Sequence, residues 1–461
     1  MNAHRFAMVV PLTLALTLST VAAGDTLVLT NGKTYQGKLL DRTDETVRFE
    51  VHSDSGSTYR VGFPADRVKE VKRGPLPEAS EGETEPAKEK TDPHGLPLPP
   101  EAPPVTDPEG PTYCVVPVRG VIGQVVTAEY LEKSLADARR RNPEAVVLIF
   151  DSPGGLIREV DELITVLRKY KDDLRLVGYV EKEAISAAAI VLLSLEEVYA
   201  GPRALIGAAT AYGITPEGLS ADVSEKMQSV WRATARNAAD LGGQNPLLAE
   251  AMIDRGMRLY VTDADGSKRV QRAVDKDLPD GAKLLVESGK LLTMTPREAR
   301  MSGLVTDIVE DAEALGKRLD APGWTRVEAL GPKLGAHRVK LVEAVDETLK
   351  QYRRDLDRAM EQAMQTNPIN YTYTYYKRSG RLTAGSRRKW LQRSATCWRF
   401  LRQAERALKG TQEIAEQYPK AAYNPKAAYN LDQDVLKDQR NRIESIKTAI
   451  ARRAYRDRVD D

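Results

Sequence analysis

A serine at the head of an apolar run is the first residue of this chain that could carry chemistry. Ser186 opens the stretch Ser-Ala-Ala-Ala-Ile, directly after a predicted strand. A serine in this place can be the N-cap of a helix. It can also be a nucleophile, because a strand-to-helix turn exposes its Oγ and the N–H of the following Ala187 can bind an oxyanion. The surrounding residues do not form the Gly-x-Ser-x-Gly pattern.

The base that would activate Ser186 cannot be a nearby histidine. The four histidines are at positions 4, 52, 94 and 337, so none lies between residues 95 and 336. Lysine is the remaining base, as in Ser-Lys enzymes, and burial lets a lysine lose its proton near neutral pH. Lys226 begins a predicted helix, whereas Lys182 ends a predicted strand. Either lysine could also be an ordinary surface residue.

A glycine pair forms the second candidate for chemistry. Gly154 and Gly155 end the motif Asp151-Ser-Pro-Gly-Gly155, between a predicted strand and a predicted helix. Two glycines let the backbone turn sharply and direct N–H groups outward, which at a helix N-terminus suits an oxyanion. An ordinary strand-to-helix turn has the same composition, so the motif alone does not decide.

The elements around these residues alternate between strand and helix. Apolar runs predict buried parallel strands, and apolar residues at 3-4 spacing predict helices. The sequence therefore predicts an α/β domain over residues 112–320 with a largely parallel sheet. Its expected strands are 114–118, 145–150 and 174–180, and its expected helices are 127–142, 157–170 and 186–195.

The order of the motifs resembles that of the membrane-associated ClpP-class serine proteases. The nearest resemblance is to the N-terminal protease domain of NfeD proteins, and signal peptide peptidase SppA is more distant. The collinear motifs are Val121-Ile-Gly123, Asp151-Ser-Pro-Gly-Gly155, Ala184-Ile-Ser-Ala187, Ala200-Gly-Pro-Arg-Ala-Leu-Ile-Gly207, Glu225-Lys226, Gly243-Gln-Asn245 and Thr293-Met-Thr-Pro-Arg-Glu-Ala299. The resemblance implies a crotonase- and ClpP-like spiral of ββα units.

The resemblance also implies roles for individual residues. Ser186 matches the family nucleophile and Lys226 its general base. A peptide would bind in extended form beside the glycine loop through main-chain hydrogen bonds. No metal and no cofactor are expected. The oxyanion and substrate-binding positions are Gly154, Gly155, Ala187 and Gly207.

These residues lead to one preferred function and two alternatives. The preferred function is an exported endopeptidase with a Ser-Lys dyad that cleaves hydrophobic peptide or membrane-protein segments. The first alternative is an inactive ClpP-like peptide-binding scaffold, because Glu183, Ile185 and Ala188 stand where the family usually has small residues and glycine. A crotonase-type acyl-CoA enzyme is disfavoured by the predicted export, since coenzyme A is not expected outside the cytoplasm.

The N-terminal part predicts export followed by a small domain. Residues 1–23 combine a basic start, an apolar run and a small-residue ending, which are typical of a cleaved signal peptide. The mature protein should be periplasmic or membrane-peripheral. Residues 24–74 contain five short alternating runs around an Asn-Gly turn, which indicate a small SH3- or Sm-like β-barrel. Residues 75–111, with eleven prolines, predict an unpacked Pro/Glu-rich linker.

The C-terminal part, residues 321–461, predicts a basic helical region. From residue 322 onward it has 29 Lys/Arg and 17 Asp/Glu. Apolar residues with heptad spacing predict a coiled-coil-like helix and a homo-oligomer. Nucleic-acid binding is not expected, because no groove-reading motif is present. The heptad residues are Val342, Val345, Leu349, Tyr352, Leu356, Ala359 and Ala363, and a tandem Pro-Lys-Ala-Ala-Tyr-Asn repeat follows at 419–430.

Composition excludes several classes of protein but identifies no partner. The net charge is only +2, from 68 basic and 66 acidic residues. A mean hydropathy of −0.43 excludes a polytopic membrane protein. Two cysteines, Cys114 and Cys397, exclude a disulfide framework and a multi-cysteine zinc site.

Overall fold

The structure is a computed structural model that describes most of the chain. It describes residues 25–31, 33–43, 46–52, 58–72, 91–105, 108–214, 220–222, 224–264, 267–274, 277–423, 431 and 433–457. The predicted signal peptide, residues 75–90 and 106–107 of the predicted linker and the second hexapeptide lie outside these residues. The chain divides into two compact units, Met1–Lys88 and Glu89–Asp461.

Within the described ranges, none of the helices combines the length and apolarity needed to cross a bilayer.

The first unit is a five-stranded antiparallel sheet in the order β4-β3-β2-β1-β5. Leu27, Val47 and Phe49 are fully buried on its inner face. All five strands predicted for the small β-barrel are therefore present. They are β1 (Asp25–Leu29), β2 (Thr34–Arg42), β3 (Thr46–His52), β4 (Thr58–Pro64) and β5 (Val68–Lys72).

The second unit is built on an eight-stranded, mostly parallel sheet. Its strands are β6 (Thr112–Arg119), β7 (Ala145–Ser152), β8 (Leu176–Ile185), β9 (Glu197–Ala200), β10 (Leu205–Gly207), β16 (Thr293–Met294), β17 (Asp307–Ile308) and β18 (Thr325–Arg326). Strand β8 pairs with β9 through residues 177–180 and with β10 through residues 183–185. Because one strand joins two neighbours on the same side, the sheet changes direction along β8. The predicted α/β fold class is confirmed.

In the part of the second unit that the structure describes, two smaller sheets and ten α-helices accompany the large sheet. The smaller sheets contain β11 (Tyr212–Ile214) with β12 (Ser220–Asp222), and β13 (Leu259–Ala264) with β14 (Ser267–Arg272) and β15 (Lys283–Val286). The helices are α1 (Ala128–Arg141), α2 (Ile157–Tyr170), α3 (Ala187–Leu193), α4 (Glu225–Leu241), α5 (Pro246–Ile253), α6 (Pro296–Met301), α7 (Leu330–Thr366), α8 (Ala384–Gln417), α9 (Pro419–Ala422) and α10 (Gln433–Arg456).

Part of the predicted linker is packed rather than free. In residues 91–105, Leu96 is buried in a cluster with Leu341 and Val345 of α7. The guanidinium of Arg141 donates to the carbonyl oxygens of Pro103 and Pro104 at 2.7 and 3.0 Å. The expectation that the whole segment stays unpacked is therefore wrong for residues 91–105. The buried Leu96, the satisfied proline carbonyls and a hydrogen bond from the Tyr418 hydroxyl to Asp92 together hold this segment against the neighbouring helices.

The heptad seam of α7 is covered by α8 of the same chain. Tyr352 lies against Gly410, and Ala363 accepts a hydrogen bond from Cys397, so the two helices run antiparallel. Leu349 and Leu356 are buried in the same seam. The seam therefore forms an intramolecular helical hairpin, and homo-oligomerisation stays a prediction without support from this seam.

The start of α7 belongs to the core of the α/β domain. Leu334 is buried in that core, and Gly331 lies so close to β6 that an added Cβ would stand 2.7 Å from the Val115 oxygen. Asp137 of α1, 1% exposed, accepts a hydrogen bond from the Leu330 N–H at 2.7 Å and pairs with Arg141. The boundary predicted at residue 320 thus marks a change of composition rather than a break in packing.

We predict that Asp137→Ala lowers the free energy of unfolding of the second unit by about 3–5 kcal/mol, because it leaves Arg141 buried without its partner. Burial raises the pKa of Asp137, but hydrogen bonds from Arg141 and from the Leu330 N–H outweigh burial, so its pKa is lowered. The stabilisation by Asp137 should therefore be present at neutral pH and be lost as the pH falls below about 4. Denaturant unfolding at several pH values measures this.

The matched control is Glu129→Ala in the same helix. Glu129 pairs with Lys133 in an exposed i,i+4 ion pair, which typically contributes less than about 1 kcal/mol. Equal losses for the two variants would contradict the assignment of Asp137 as a buried junction.

Candidate active site

Ser186 occupies a strained turn between β8 and α3. Its φ of 57° and ψ of −126° lie in a sparsely populated region for a residue with a side chain. Such a conformation costs roughly 1–3 kcal/mol and persists only where the surroundings enforce it. The Ser186 N–H donates to the Gly207 oxygen at 2.9 Å, and all seven residues of α3 are buried. The sheet and the buried helix therefore hold the turn from both sides.

The hydroxyl of Ser186 is not used as a helix cap. Its side chain makes no capping hydrogen bond to α3 and is partly exposed. The alternative in which this serine is only an N-cap is therefore not realised. The Oγ is therefore not engaged in capping α3.

The glycine loop lies directly against this turn. An added Cβ on Gly154 would stand 2.5 Å from the Ser186 Cβ and 3.0 Å from the Ala187 nitrogen. Gly154 also has a φ of +97°, which a side chain disfavours. Gly155 is equally constrained, since its Cβ would stand 2.0 Å from the Ile122 oxygen. The structure thus brings Gly154, and with it the adjacent Gly155, to the turn of Ser186 and Ala187, and their roles in catalysis stay a prediction.

Two residues of the recognised motifs, Ile122 and Ser152, to which the sequence analysis gave no role, hold the glycine loop. The Ile122 N–H donates to the Gly154 oxygen at 2.8 Å, and the Ile122 oxygen accepts from Leu156 at 3.0 Å. The fully buried Ser152 hydroxyl donates to the Gly120 oxygen at 2.7 Å and accepts from the Gly154 N–H at 3.2 Å. A polar residue at the end of an otherwise apolar strand was the signal that could have identified Ser152.

Two backbone donors flank the serine without protein acceptors. Within the part of the chain that the structure describes, neither the Gly155 N–H nor the Ala187 N–H donates to another residue. Ala187 is the first residue of α3, where helix amides have no intrahelical partner. Paired free amides beside a nucleophile can stabilise the negative charge that develops on a tetrahedral intermediate.

Gly207 positions the serine turn from the neighbouring strand. It pairs with Ile185 on one side and with Thr293 on the other. Its φ is +134°, and an added Cβ would stand 2.3 Å from the Leu292 oxygen. Gly207 therefore fits a position between two strands where no side chain has room.

Lys226 lies in the first turn of α4 and is exposed. The sequence led us to expect a buried lysine, and the structure differs because the first turn projects beyond the core that Trp231 anchors. The Trp231 N–H donates to the Ala209 oxygen at 2.7 Å, which ties α4 to the segment just after Gly207. Among the described residues, Lys226 makes no hydrogen bond to Ser186. Met227, beside it, is also 52% exposed.

Lys182, the other candidate base, is held in an ion pair. Its Nζ lies 2.8 Å from the Asp151 Oδ2, and its side chain is 71% exposed. The hydrogen bond to Asp151 raises the pKa of Lys182, so the ammonium form is favoured. A raised pKa is the opposite of what a general base at neutral pH needs. No cluster of three or more metal-ligating side chains occurs in the described ranges.

The C-terminal helices contact the loop that supports the glycine pair. The Gln124 side chain donates to the Tyr423 oxygen, and the Arg338 guanidinium donates to the Val125 oxygen at 3.3 Å. Lys420 of α9 lies 2.8 Å from Glu159, a fully buried carboxylate on α2. Burial lowers the pKa of Lys420, but its hydrogen bonds to acidic neighbours outweigh this and raise it. The region classified as a tail therefore braces residues 121–126.

We predict that Gly154→Ala impairs the site more than a glycine-to-alanine change at another position with positive φ would. The added Cβ must displace Ser186 or the Ala187 amide, which should cost about 1–3 kcal/mol beyond the conformational cost. Gly289→Ala is the matched control, because Gly289 has a similar φ of +94° and open space around it. Thermal unfolding and labelling of Ser186 by a fluorophosphonate probe measure both effects. Equal behaviour of the two variants would contradict the close approach.

Comparisons with known proteins bear on residues 112–276, which match the family model described as the NfeD1b N-terminal domain. Membrane protein NfeD1b of Bacillus subtilis (strain 168) is 31% identical over 143 residues, which cover 31% of each chain. The match therefore spans less than a third of that relative's length.

Solved structures show weaker likenesses. Two of them are mutants of the 1510-N membrane-bound stomatin-specific protease, each 17% identical to this chain. The mutant in complex with a substrate peptide has a TM-score of 0.37 and covers 48% of this chain and 93% of its own. The other has a TM-score of 0.36 and covers 47% of this chain and 98% of its own. ClpP1 from Listeria monocytogenes is 15% identical, with a TM-score of 0.30, over 44% of this chain and 94% of its own. Scores this low carry no inference about mechanism. The family match, in contrast, confirms the resemblance of residues 112–276 to the N-terminal domain of NfeD proteins, which the sequence motifs predicted.

Proposed function

We propose that this chain is a serine endopeptidase in which Ser186 is the nucleophile. The observation that supports this most is the strained, uncapped Ser186 with Gly154 packed against it. A purely structural serine needs neither a positive φ nor a glycine pair at contact distance. Strain of this kind concentrates at functional sites, where the fold enforces it.

In the proposed reaction, the Ser186 Oγ attacks the carbonyl carbon of a peptide bond. Lys226 takes the hydroxyl proton, and the carbonyl oxygen becomes an oxyanion that the Gly155 and Ala187 N–H groups bind. The C–N bond then breaks, the proton passes to the leaving amine, and an acyl-enzyme forms. Water, deprotonated by the same lysine, releases the acid and restores Ser186.

To act as a base, Lys226 must be covered by a substrate or by a neighbouring segment of the chain. It is exposed in the structure, and covering an amine favours its neutral form. Exposed apolar residues lie on the elements that flank the serine, namely Leu205 on β10 and Met227 and Val230 on α4, at 44%, 52% and 56% exposure. We propose that they bind a hydrophobic peptide or membrane-protein segment, which covers Lys226 as it docks. An exported, membrane-peripheral protein would meet such segments.

A peptide-binding scaffold without cleavage is the second candidate. The exposure of Lys226 and the bulk of the half-buried Ile185 beside Ser186 favour it. On this alternative, the glycine loop and β10 would bind an extended peptide through main-chain hydrogen bonds alone. The two candidates differ in whether Ser186 can be acylated.

Ser186→Ala should reduce hydrolysis of hydrophobic peptides to background and abolish fluorophosphonate labelling. Thermal unfolding should change little, because the Oγ makes no hydrogen bond that holds the turn. Ser229→Ala, an exposed serine on α4, is the control and should behave like the wild type. Labelling that persists in Ser186→Ala would exclude Ser186 as the nucleophile, and a wild-type protein that binds peptides but never labels would favour the scaffold.

Lys226→Met should lower kcat/KM by roughly 10²–10⁴-fold, the typical effect of removing a general base. Methionine keeps the apolar stem and removes the amine. Lys182→Met should change kcat/KM only a few-fold, because an exposed ion pair contributes little. The plot of kcat/KM against pH should show no transition with the pKa of a histidine, since no histidine lies between residues 95 and 336. If the two variants lose equal activity, Lys226 is not the base.

A further inference from the structure

The helical hairpin carries a long acid-free stretch around its turn. Residues 362–404 contain no Asp or Glu but nine Lys/Arg. This stretch includes the end of α7, the connection to α8 and the first half of α8. Since α7 begins in the core of the α/β domain and runs for 37 residues, its far end lies about 50 Å along the helix axis from that core.

The connection forms a small hairpin with basic residues at its tip. Tyr375 pairs with Leu382, and the Tyr376 N–H donates to the Arg381 oxygen at 2.8 Å. Lys377 and Arg378 follow directly and are exposed. Neither makes an ion pair with any carboxylate in the described residues. The hairpin therefore presents to solvent two cations that no carboxylate of the described residues pairs with.

The end of α10 packs against this hairpin and adds to its charge. The Tyr375 hydroxyl donates to Asp457 at 3.0 Å, and the Arg453 guanidinium lies over the Trp390 ring at 5.6 Å. Asp457, the last residue that the structure describes, is already paired with Arg453 and Arg456 at 3.3 Å. Basic residues of α10 thus lie beside the basic hairpin.

Large amphipathic side chains accompany the cations. Tyr376 is 53% exposed, Tyr455 on α10 is 87% exposed, and Leu391 in the second turn of α8 is 46% exposed. Tyrosine rings with a polar tip are favoured at the boundary between lipid and water, and basic residues beside them are attracted to anionic headgroups. Exposed tyrosines next to exposed cations are therefore the composition of a membrane-docking surface.

We propose that this distal end, formed by residues 371–383 and 452–457, docks on membranes that contain anionic phospholipids.

A lipid surface fits better than single-stranded nucleic acid, which needs a row of free aromatic faces. Two rings that could supply such a row are occupied, because Arg393 covers Tyr371 at 3.5 Å and Tyr373 packs edge-on against Trp390. An open groove of about 700 Å³ beside Ile369, lined by Arg452, Arg453 and Arg456 together with one carboxylate, Glu444, has room for a headgroup. Docking here does not depend on the proposed peptidase activity.

The experiment is co-sedimentation of the full chain with large vesicles. Vesicles of phosphatidylcholine and phosphatidylglycerol in equal parts are compared with vesicles of phosphatidylcholine alone. Binding to the neutral vesicles measures any attachment that does not depend on lipid charge, and it is subtracted from binding to the anionic vesicles. We expect binding to the anionic vesicles that weakens with added salt, because screening shortens the reach of exposed charges.

Two pairs of substitutions locate the surface. Lys377→Glu with Arg378→Glu should weaken partitioning onto anionic vesicles by roughly tenfold or more, since each basic residue near the surface contributes about 1 kcal/mol. Arg402→Glu with Arg406→Glu changes the net charge equally, on an exposed part of α8 about 30 Å from the hairpin, and should have a much smaller effect. Tyr376→Ser with Tyr455→Ser should weaken binding without changing its salt dependence.

Three outcomes would overturn the proposal. Equal binding to both vesicle types would show that anionic lipid is not recognised, and equal losses for the two charge-reversal pairs would show that the distal end is not the contact. Tighter binding to single-stranded RNA than to anionic vesicles, with loss in Lys377→Glu/Arg378→Glu, would assign the surface to nucleic acid instead. Circular dichroism confirms that each variant keeps its helices.

Discussion

The close approach of Gly154 to Ser186 is the constraint on which the candidate site depends. Strands β7 and β8 run in parallel, and their register shifts between Phe150 and Ser152, where β7 gives way to the glycine loop. That irregularity lets the loop cross over the end of β8 and reach the serine turn. A side chain at Gly154 would overlap the Ser186 Cβ, so the turn, the loop and the two free amides can exist together only with glycine there. The strain at Ser186 is held by this crossing and by the buried helix α3.

The supports of the site extend into the C-terminal helices. Ile122 holds the glycine loop, and the residues just after it receive hydrogen bonds from Arg338 and make one to the segment after α9. Glu159, buried beside this loop, accepts from the Ala128 N–H and from Lys420, while its second oxygen has no partner within the described residues. A carboxylate in that state depends on Lys420 for its compensation. The basic helices therefore stabilise the site's surroundings as well as extending away from them.

A single buried ion pair joins segments that are far apart in the chain. Asp137 and Arg141 on α1 connect the proline-rich segment at 103–104 with the first residue of α7. Because both side chains are about 1% exposed, each depends on the other for its charge compensation. This junction orients α7, and α7 in turn places the basic hairpin at 371–383 at a distance from the catalytic candidates. The α/β core thus lies at one end of α7, and the exposed Lys377 and Arg378 lie beyond the other.

The sequence by itself determined the elements and the identity of the candidate residues. Apolar runs and 3-4 spacing predicted the strands and helices around Ser186. A continuous apolar run indicates a strand that is buried on both faces. Apolar residues at 3-4 spacing indicate a helix with one buried face. Only the tertiary structure decided the positive φ of Ser186, the contact with Gly154, the exposure of Lys226 and the pairing of Lys182 with Asp151. These depend on distances between residues remote in sequence, which no local pattern encodes. The α7 seam shows the same limit, since heptad spacing predicts a partner helix but cannot say that α8 of the same chain supplies it.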